Sequence, residues 1–308
     1  VWSVWELGKK FWGVSQTMSR FRGWIQAGAA LLTNLHLPNF LKGGLYQGTG
    51  KTVCVPGLNC YSCPAASGAC PIGAFQAVVG SSRFCFSYYI TGFLILLGVL
   101  LGRFICGFLC PFGWFQELLH KIPTKKLSTK KLKPLRYLKY AVLLVMVFLL
   151  PAFLVNDVGM GDPFFCKYLC PQGVLEGAIP LSLANSGLRA ALGSLLTWKF
   201  SILLAVIALS VLFYRPFCKW LCPLGAFYAL FNRVSLFQMK VNKNKCISCG
   251  KCAKICRMDV DVTKTPNHTE CIRCGMCVRT CPANAVCFRY GFGDGKETMK
   301  KINMEESK

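Results

Sequence analysis

Eight cysteines near the C-terminus are spaced as ligands. From Cys246 the chain reads CISCGKCAKIC and from Cys271 it reads CIRCGMCVRTCP, so C-x2-C-x2-C-x3-C is written twice. In two-cluster ferredoxins this spacing places three thiolates on one 4Fe-4S cubane and sends the fourth to the other. The expected ligand sets are therefore Cys246, Cys249, Cys252 and Cys281 for one cluster, and Cys271, Cys274, Cys277 and Cys256 for the second. Tetrahedral thiolate also suits zinc, but zinc modules carry two separated C-x2-C knuckles and not three Cys at successive threes. Pro282 follows Cys281 as the pattern expects, whereas Arg257 follows Cys256, which leaves the local turn there open.

A second constellation lies upstream. Cys106-Gly-Phe-Leu-Cys110-Pro-Phe-Gly, Cys166-Lys-Tyr-Leu-Cys170-Pro-Gln-Gly and Cys218-Lys-Trp-Leu-Cys222-Pro-Leu-Gly are three copies of C-x3-C-P-x-G. Cys70-Pro-Ile-Gly is a partial fourth, preceded by Cys54, Cys60 and Cys63. Cysteines at i and i+4 share a helical face, and the following Pro cannot continue the hydrogen-bond ladder, so the chain turns there. Two such helix ends can present four thiolates. Cys106 and Cys110 with Cys218 and Cys222 are expected to supply a third cluster. Cys54, Cys60, Cys63, Cys70, Cys166 and Cys170 are six candidates for one or two further centres. Buried inert thiols or outward-facing disulfides are the alternatives for both groups. Cys85 and Cys287 fit no spacing and are read as structural.

Other residues add little chemistry. A transmembrane bis-His haem needs two facing histidines, and with only His36, His120 and His268 no intrinsic haem is expected. His36 is read first as a structural hydrogen-bonding residue and second as a partner for a quinone head group. Arg103 and Arg215 precede the inner pairs; they are read as snorkelling charges at span ends, with stabilisation of a reduced cluster as the alternative. There is no dinucleotide fingerprint, P-loop or flavinylation-like run, so nucleotide and flavin are expected only on partners.

These cysteines must be carried by elements that the composition identifies. Of 308 residues, 54% are hydrophobic, and the mean hydropathy of +0.44 is that of a membrane protein. Uncharged apolar runs at 84–102, 140–156 and 200–214 are expected spans, and 23–41 is a more polar first span. The stretch 174–196 holds Glu176 and Arg189 and reads as interfacial or re-entrant. The net charge of +24 is concentrated in loops such as 114–136, which the positive-inside rule places in the cytoplasm, so anionic lipid accounts for it without nucleic acid. Both termini are then cytoplasmic in a multi-pass protein of the cell membrane, with 42–83 and 157–197 facing outward. The chain opens at Val1 without an initiating Met, and no cleavable signal is evident, so insertion is expected to rely on the spans.

The expected fold class is mainly α, a polytopic helical membrane domain of about four spans followed by a small α+β bacterial-type two-cluster ferredoxin domain. Its parts are a cytoplasmic or interfacial segment at 1–22, a transmembrane domain with Cys pairs at 23–237, the ferredoxin domain at 238–290 and a basic, polar tail at 291–308.

GRFICGFLCPFG at 102–113, YRPFCKWLCPLGA at 214–226 and the double ferredoxin tail together resemble the membrane polyferredoxins typified by NapH and the membrane part of NosR. The resemblance covers most of residues 85–285. It implies electron transfer between the quinone pool or a cytoplasmic donor and partner oxidoreductases. The cysteines at 54–70 and the pair Cys166, Cys170 exceed that pattern and point to a longer wire across the ~30 Å hydrocarbon core. The expected function is a one-electron relay among a cytoplasmic donor, two tail 4Fe-4S clusters, one or two membrane Fe-S centres and a quinone or outer-face partner. That makes the chain an electron-transfer component of an oxidoreductase system. Competing readings are a quinol dehydrogenase or outer-face metal-ion reductase component, and a redox sensor or assembly factor.

Overall fold

A computed structural model describes residues 15–81, 87–157, 159–184, 187 and 193–291. The flanking segments 1–14 and 292–308, and also Cys85 and Arg189, lie outside the described residues. The fold is mostly helical with one small sheet. The helices are α1 (Arg22–Thr33), α2 (Pro71–Gly80), α3 (Tyr88–Leu101), α4 (Phe104–Phe108), α5 (Pro111–His120), α6 (Leu132–Phe153), the π-helical turn α7 (Phe165–Leu169), α8 (Gly173–Ala184), α9 (Gly193–Leu212), α10 (Pro216–Trp220) and α11 (Pro223–Phe231). The tail contributes β1 (Phe237–Val241), α12 (Lys251–Ile255), α13 (Met276–Thr280) and β2 (Val286–Tyr290). The strands pair antiparallel, Met239 opposite Phe288.

Among the described residues, α6 and α9 are long and apolar enough to cross a membrane. Only 28% and 17% of their apolar windows are buried, so Leu144, Phe148, Phe153, Trp198 and Leu204 face outward. Such an apolar surface is costly in water and favourable in lipid. The other two expected spans are shorter. Helix α3 has 14 residues, roughly 21 Å at 1.5 Å per residue. The 23–41 run breaks after Thr33, where the Asn34 amide hydrogen-bonds back to the Ala30 carbonyl, leaving a 12-residue helix. His36 then sits in the following turn, stacked on Tyr46 with ring centroids 3.7 Å apart.

Helix α3 ends because Gly102 takes φ +53°, a conformation that a side chain resists. A Cβ there would also meet the Arg273 guanidinium at 2.8 Å and the Asn232 side-chain oxygen at 2.9 Å. The chain reverses into α4 and carries Arg103 inward. One hydrophobic core runs through the helical body and into the tail, from Leu58, Phe75 and Leu94 to Met258, Val260 and Ile272. Met239, Val262, Val278 and Phe288 form a second, smaller core within the tail.

Candidate iron-sulfur centres

In the tail, Cys246, Cys249, Cys252 and Cys281 line one cavity, and Cys256, Cys271, Cys274 and Cys277, with Cys252 at the edge, line another. The two halves are built alike. Gly250 and Gly275 have φ +68° and +76°, Ser248 and Arg273 have φ +51° and +52°, and Asp259 and Asn284 have φ +55° and +51°. Val260 N–H donates to Cys256 Sγ at 3.4 Å, and Ala285 N–H donates to Cys281 Sγ at 3.3 Å. Arg257 therefore forms the same turn as Pro282, because the left-handed residue two positions further on is Asp in one half and Asn in the other, both tolerant of αL.

In the helical body each Cys-Pro-x-Gly starts a helix. Cys70, Cys110 and Cys222 are the extended N-caps of α2, α5 and α11, with Pro at the first turn, where its missing N–H costs nothing. Their thiols thus sit at helix N-termini, whose unpaired amides favour negative charge. Two thiol quartets result. Cys222 lies within electrostatic reach of Cys218, Cys106 and Cys110, and Cys170 within reach of Cys166, Cys60 and Cys70.

Six residues after the cysteine of each Cys-Pro-x-Gly stands a polar side chain, and each one ties the site together. Gln116 donates to Cys218 Sγ at 3.2 Å while accepting from Phe217 N–H at 3.2 Å. Gln76 does the same for Cys166 Sγ at 3.2 Å and Phe165 N–H at 3.0 Å. Glu176 accepts from Cys60 N–H at 3.0 Å, and Tyr228 donates to the Pro56 carbonyl at 3.1 Å. Sequence reasoning missed all four. The shared C-P-x-G-x-F-Q at Cys70 and Cys110 was the signal available for the glutamines.

The carbonyl of the first cysteine in each C-x3-C is met by a cation: Cys106 by Arg215, Cys166 by Lys199 at 3.1 Å, and Cys218 by Arg103 at 3.5 Å. Arg103 and Arg215 do not snorkel, which corrects the sequence reading. Both are fully buried, each lies against the Gly of the opposite Cys-Pro-x-Gly, and each needs a carboxylate partner to be stable there. Arg103 pairs with Glu270 at 2.9 Å, joined by Lys139 at 2.5 Å. Arg215 pairs with Glu117 at 2.9 Å, beside Arg22 and Tyr214. Burial alone would raise the Glu270 carboxyl, but Arg103 and Lys139 hold it at about 2. Arg215 and Arg22 overcome the same burial at Glu117, also held at about 2.

The outer loop contradicts the expected separation. Consecutive amides of Leu58 and Asn59 turn to the thiols of Cys110 and Cys70, and the Tyr228 hydroxyl lies within electrostatic reach of Cys106, Cys110, Cys54 and Cys70. Residues 54–70 therefore fold back into the helical body, beside the inner quartet. Apolar Leu58 and Ile72 and the Tyr228 and Asn59 contacts draw the loop inward. The tail reaches the inner quartet as closely: Gly107, between Cys106 and Cys110, lies so near the Ile272 carbonyl that a Cβ would stand 2.3 Å from it. Arg273 further donates to the Leu101 and Asn232 carbonyls at 2.8 and 2.7 Å.

Five thiols, Cys54, Cys60, Cys70, Cys166 and Cys170, line a cavity of about 630 Å³, whereas each tail cavity measures about 20 Å³. Cys63 is buried beside Cys60 without lining the cavity, its thiol donating to Asn34. All described cysteines are free, Cys287 among them, half-buried on β2. Among the described residues no three His, Cys, Asp or Glu converge on a point fit for a single metal ion. The tail thiols and five of the outer ones are instead spread around cavities, an arrangement that fits a polynuclear cluster with several sulfur ligands, and the inner four are gathered as a buried group.

Comparison with known proteins agrees with this geometry. A family model described as a 4Fe-4S binding domain matches residues 68–87, 86–130, 139–179 and 196–244, and a second of the same description matches 239–260. An uncharacterised protein of Methanocaldococcus jannaschii is 32% identical over 209 residues, covering 65% of this chain and 77% of that one. The putative electron transport protein YccM of Escherichia coli is 30% identical over 180 residues, covering 55% of this chain and 45% of its own. The regulatory protein NosR of Stutzerimonas stutzeri is 28% identical over 162 residues, 50% of this chain and 20% of its own. No solved structure matches. The chain belongs to the NapH/NosR-like family of ferredoxin-type iron-sulfur electron transport proteins.

Proposed function

We propose that the chain is a membrane-embedded iron-sulfur relay with four centres in one packed series. The tail thiols Cys246, Cys249, Cys252 and Cys281 hold the first, and Cys271, Cys274, Cys277 and Cys256 the second. Cys106, Cys110, Cys218 and Cys222 hold the third. Cys60, Cys70, Cys166 and Cys170 hold the fourth, with Cys54 and Cys63 left as structural thiols. Bound 4Fe-4S clusters supply the one-electron chemistry, and the protein supplies position, insulation and tuning. Gln116 and Gln76 fix one thiol in each quartet, the buried cations screen the negative charge of thiolate ligands, and the Gly107–Ile272 contact joins tail to membrane part. The observation that carries this reading is the repeated Gln-to-thiol and cation-to-carbonyl frame around two separate quartets.

In the membrane, the four-span arrangement with tail and both termini in the cytoplasm follows from the basic loops. Redox partners on that side and at the outer cavity complete the relay. The outer cavity favours a second reading, in which quinol is oxidised beside the fourth centre. Its volume far exceeds that of the tail cavities, and its lining includes Asn59 and Gln172, whose buried side-chain oxygens have no partner among the described residues. The test is anaerobic reduction of the chain in nanodiscs through its tail. The relay requires that the Cys218→Ala variant keep tail reduction but lose electron delivery to the outer centre. Undiminished delivery in that variant contradicts the relay.

A further inference from the structure

We propose that the lysine-ringed face around Cys249 is the docking surface for a small acidic electron-carrier protein. This rests on the relay reading and names the partner at its tail end. Residues 241–256 contain Lys243, Lys245, Lys251 and Lys254 and no Asp or Glu. All four lysines are exposed, and none is ion-paired among the described residues. Cys249 is an exposed cysteine at their centre, and Ile247 beside it is 66% exposed. Asp261, within electrostatic reach of Cys252, is already occupied by the hydroxyl and amide of Thr263, at 2.6 and 3.0 Å.

The loop of the other tail quartet packs on the helical body. Its loop at Ile272 and Arg273 is buried against Gly107, Leu101 and Asn232, and none of its four cysteines is as exposed as Cys249. Of the two quartets, the one containing Cys249 is therefore the more open to a carrier. A flat apolar residue inside a ring of one charge sign is the surface of a transient encounter: the ring steers a partner of opposite sign, and Ile247 supplies contact once it arrives. The exposed Cys249, a cluster ligand in the relay reading, favours a protein that exchanges electrons there over a lipid surface.

The test uses the full-length, cluster-loaded chain in nanodiscs of neutral lipid. Binding of an oxidised acidic two-cluster ferredoxin is measured against ionic strength, with basic cytochrome c as the opposite-charge probe. The expected result is ferredoxin binding that weakens steeply with salt, no measurable cytochrome c binding, and a loss of about tenfold or more in the Lys243→Glu/Lys245→Glu/Lys251→Glu/Lys254→Glu variant. The fourfold Lys→Arg variant retains binding, and an unchanged iron count shows that both variants are folded. Equal ferredoxin affinity in the Glu variant overturns the proposal. So does a loss confined to binding of phosphatidylglycerol vesicles, which assigns the ring to the membrane. Reduction of the tail by methyl viologen bypasses the ring, so a failure of onward transfer from viologen counts against the relay and leaves the docking result standing.

Discussion

The inner and outer thiol quartets are assembled from the same half-sites but finished differently. Each takes a Cys-Pro-x-Gly-x-Phe-Gln segment from one part of the chain and a C-x3-C-P-x-G segment from another, with glutamine binding the first cysteine of the second segment. At the inner site Cys106 completes the four. At the outer site the equivalent position, four residues before Cys70, is Ala66, fully buried, and a thiol arrives instead from the 54–63 loop. The inner site is flanked by two buried arginines, Arg103 and Arg215, whereas the outer has Lys199 and opens into the 630 Å³ cavity. A repeat thus supplies three thiols of each quartet, and on the proposed relay the source of the fourth distinguishes a sealed centre from one open to a partner.

Cysteine replacement breaks this comparison most strongly. Cys222→Ala and Cys170→Ala are each expected to remove about 4 iron atoms per chain, one cubane's worth, by iron and sulfide assay. Cys60→Ala should do the same and Cys63→Ala should not; a loss with Cys63→Ala would reassign the borrowed ligand.

The buried carboxylates come next. Glu270→Gln leaves Arg103 and Lys139 without their counter-charge, and a buried pair broken from one side costs about 3–5 kcal/mol. Faster hydrogen exchange at 268–273, where tail meets α4, is the readout. The Glu270 folded value of about 2 lies below its ordinary 4.5, so its contribution is complete above 4.5 and is lost as pH falls towards 2. By linkage that contribution is on the order of 3 kcal/mol. Protection of these amides should be flat from neutral pH to about 5 and decline below 4.5. A decline centred near neutrality would instead implicate a histidine.

How much of this was legible follows from how far apart in sequence the partners lie. The tail ligands are local in spacing, so the two cavities could be anticipated residue by residue. The inner quartet was legible because its motif repeats. The arginines were misread because their partners, Glu270 for Arg103 and Glu117 for Arg215, stand far along the chain, and a charge beside an apolar run looks like a span end. The borrowed Cys60 and the inward fold of 54–70 depend on contacts with Glu176 and Tyr228 that no local pattern encodes.

Smaller effects sharpen the account. Gly107→Val forces a side chain onto the Ile272 carbonyl, and overpacking of this kind costs about 1–3 kcal/mol. It should weaken magnetic coupling between tail and inner centres without changing the iron count. Gln116→Leu and Gln76→Leu each remove one N–H donor from a thiol, which is expected to lower the potential of that centre alone, the inner or the outer, by tens of millivolts in redox titration. A shift at both centres from one substitution would mean that the quartets are not separate.

The most direct test of the central claim is the iron and acid-labile sulfide content of the intact chain purified anaerobically in detergent. Four centres require about 16 of each per polypeptide. A count that stops near 8 leaves clusters only in the tail and contradicts the relay through the membrane quartets.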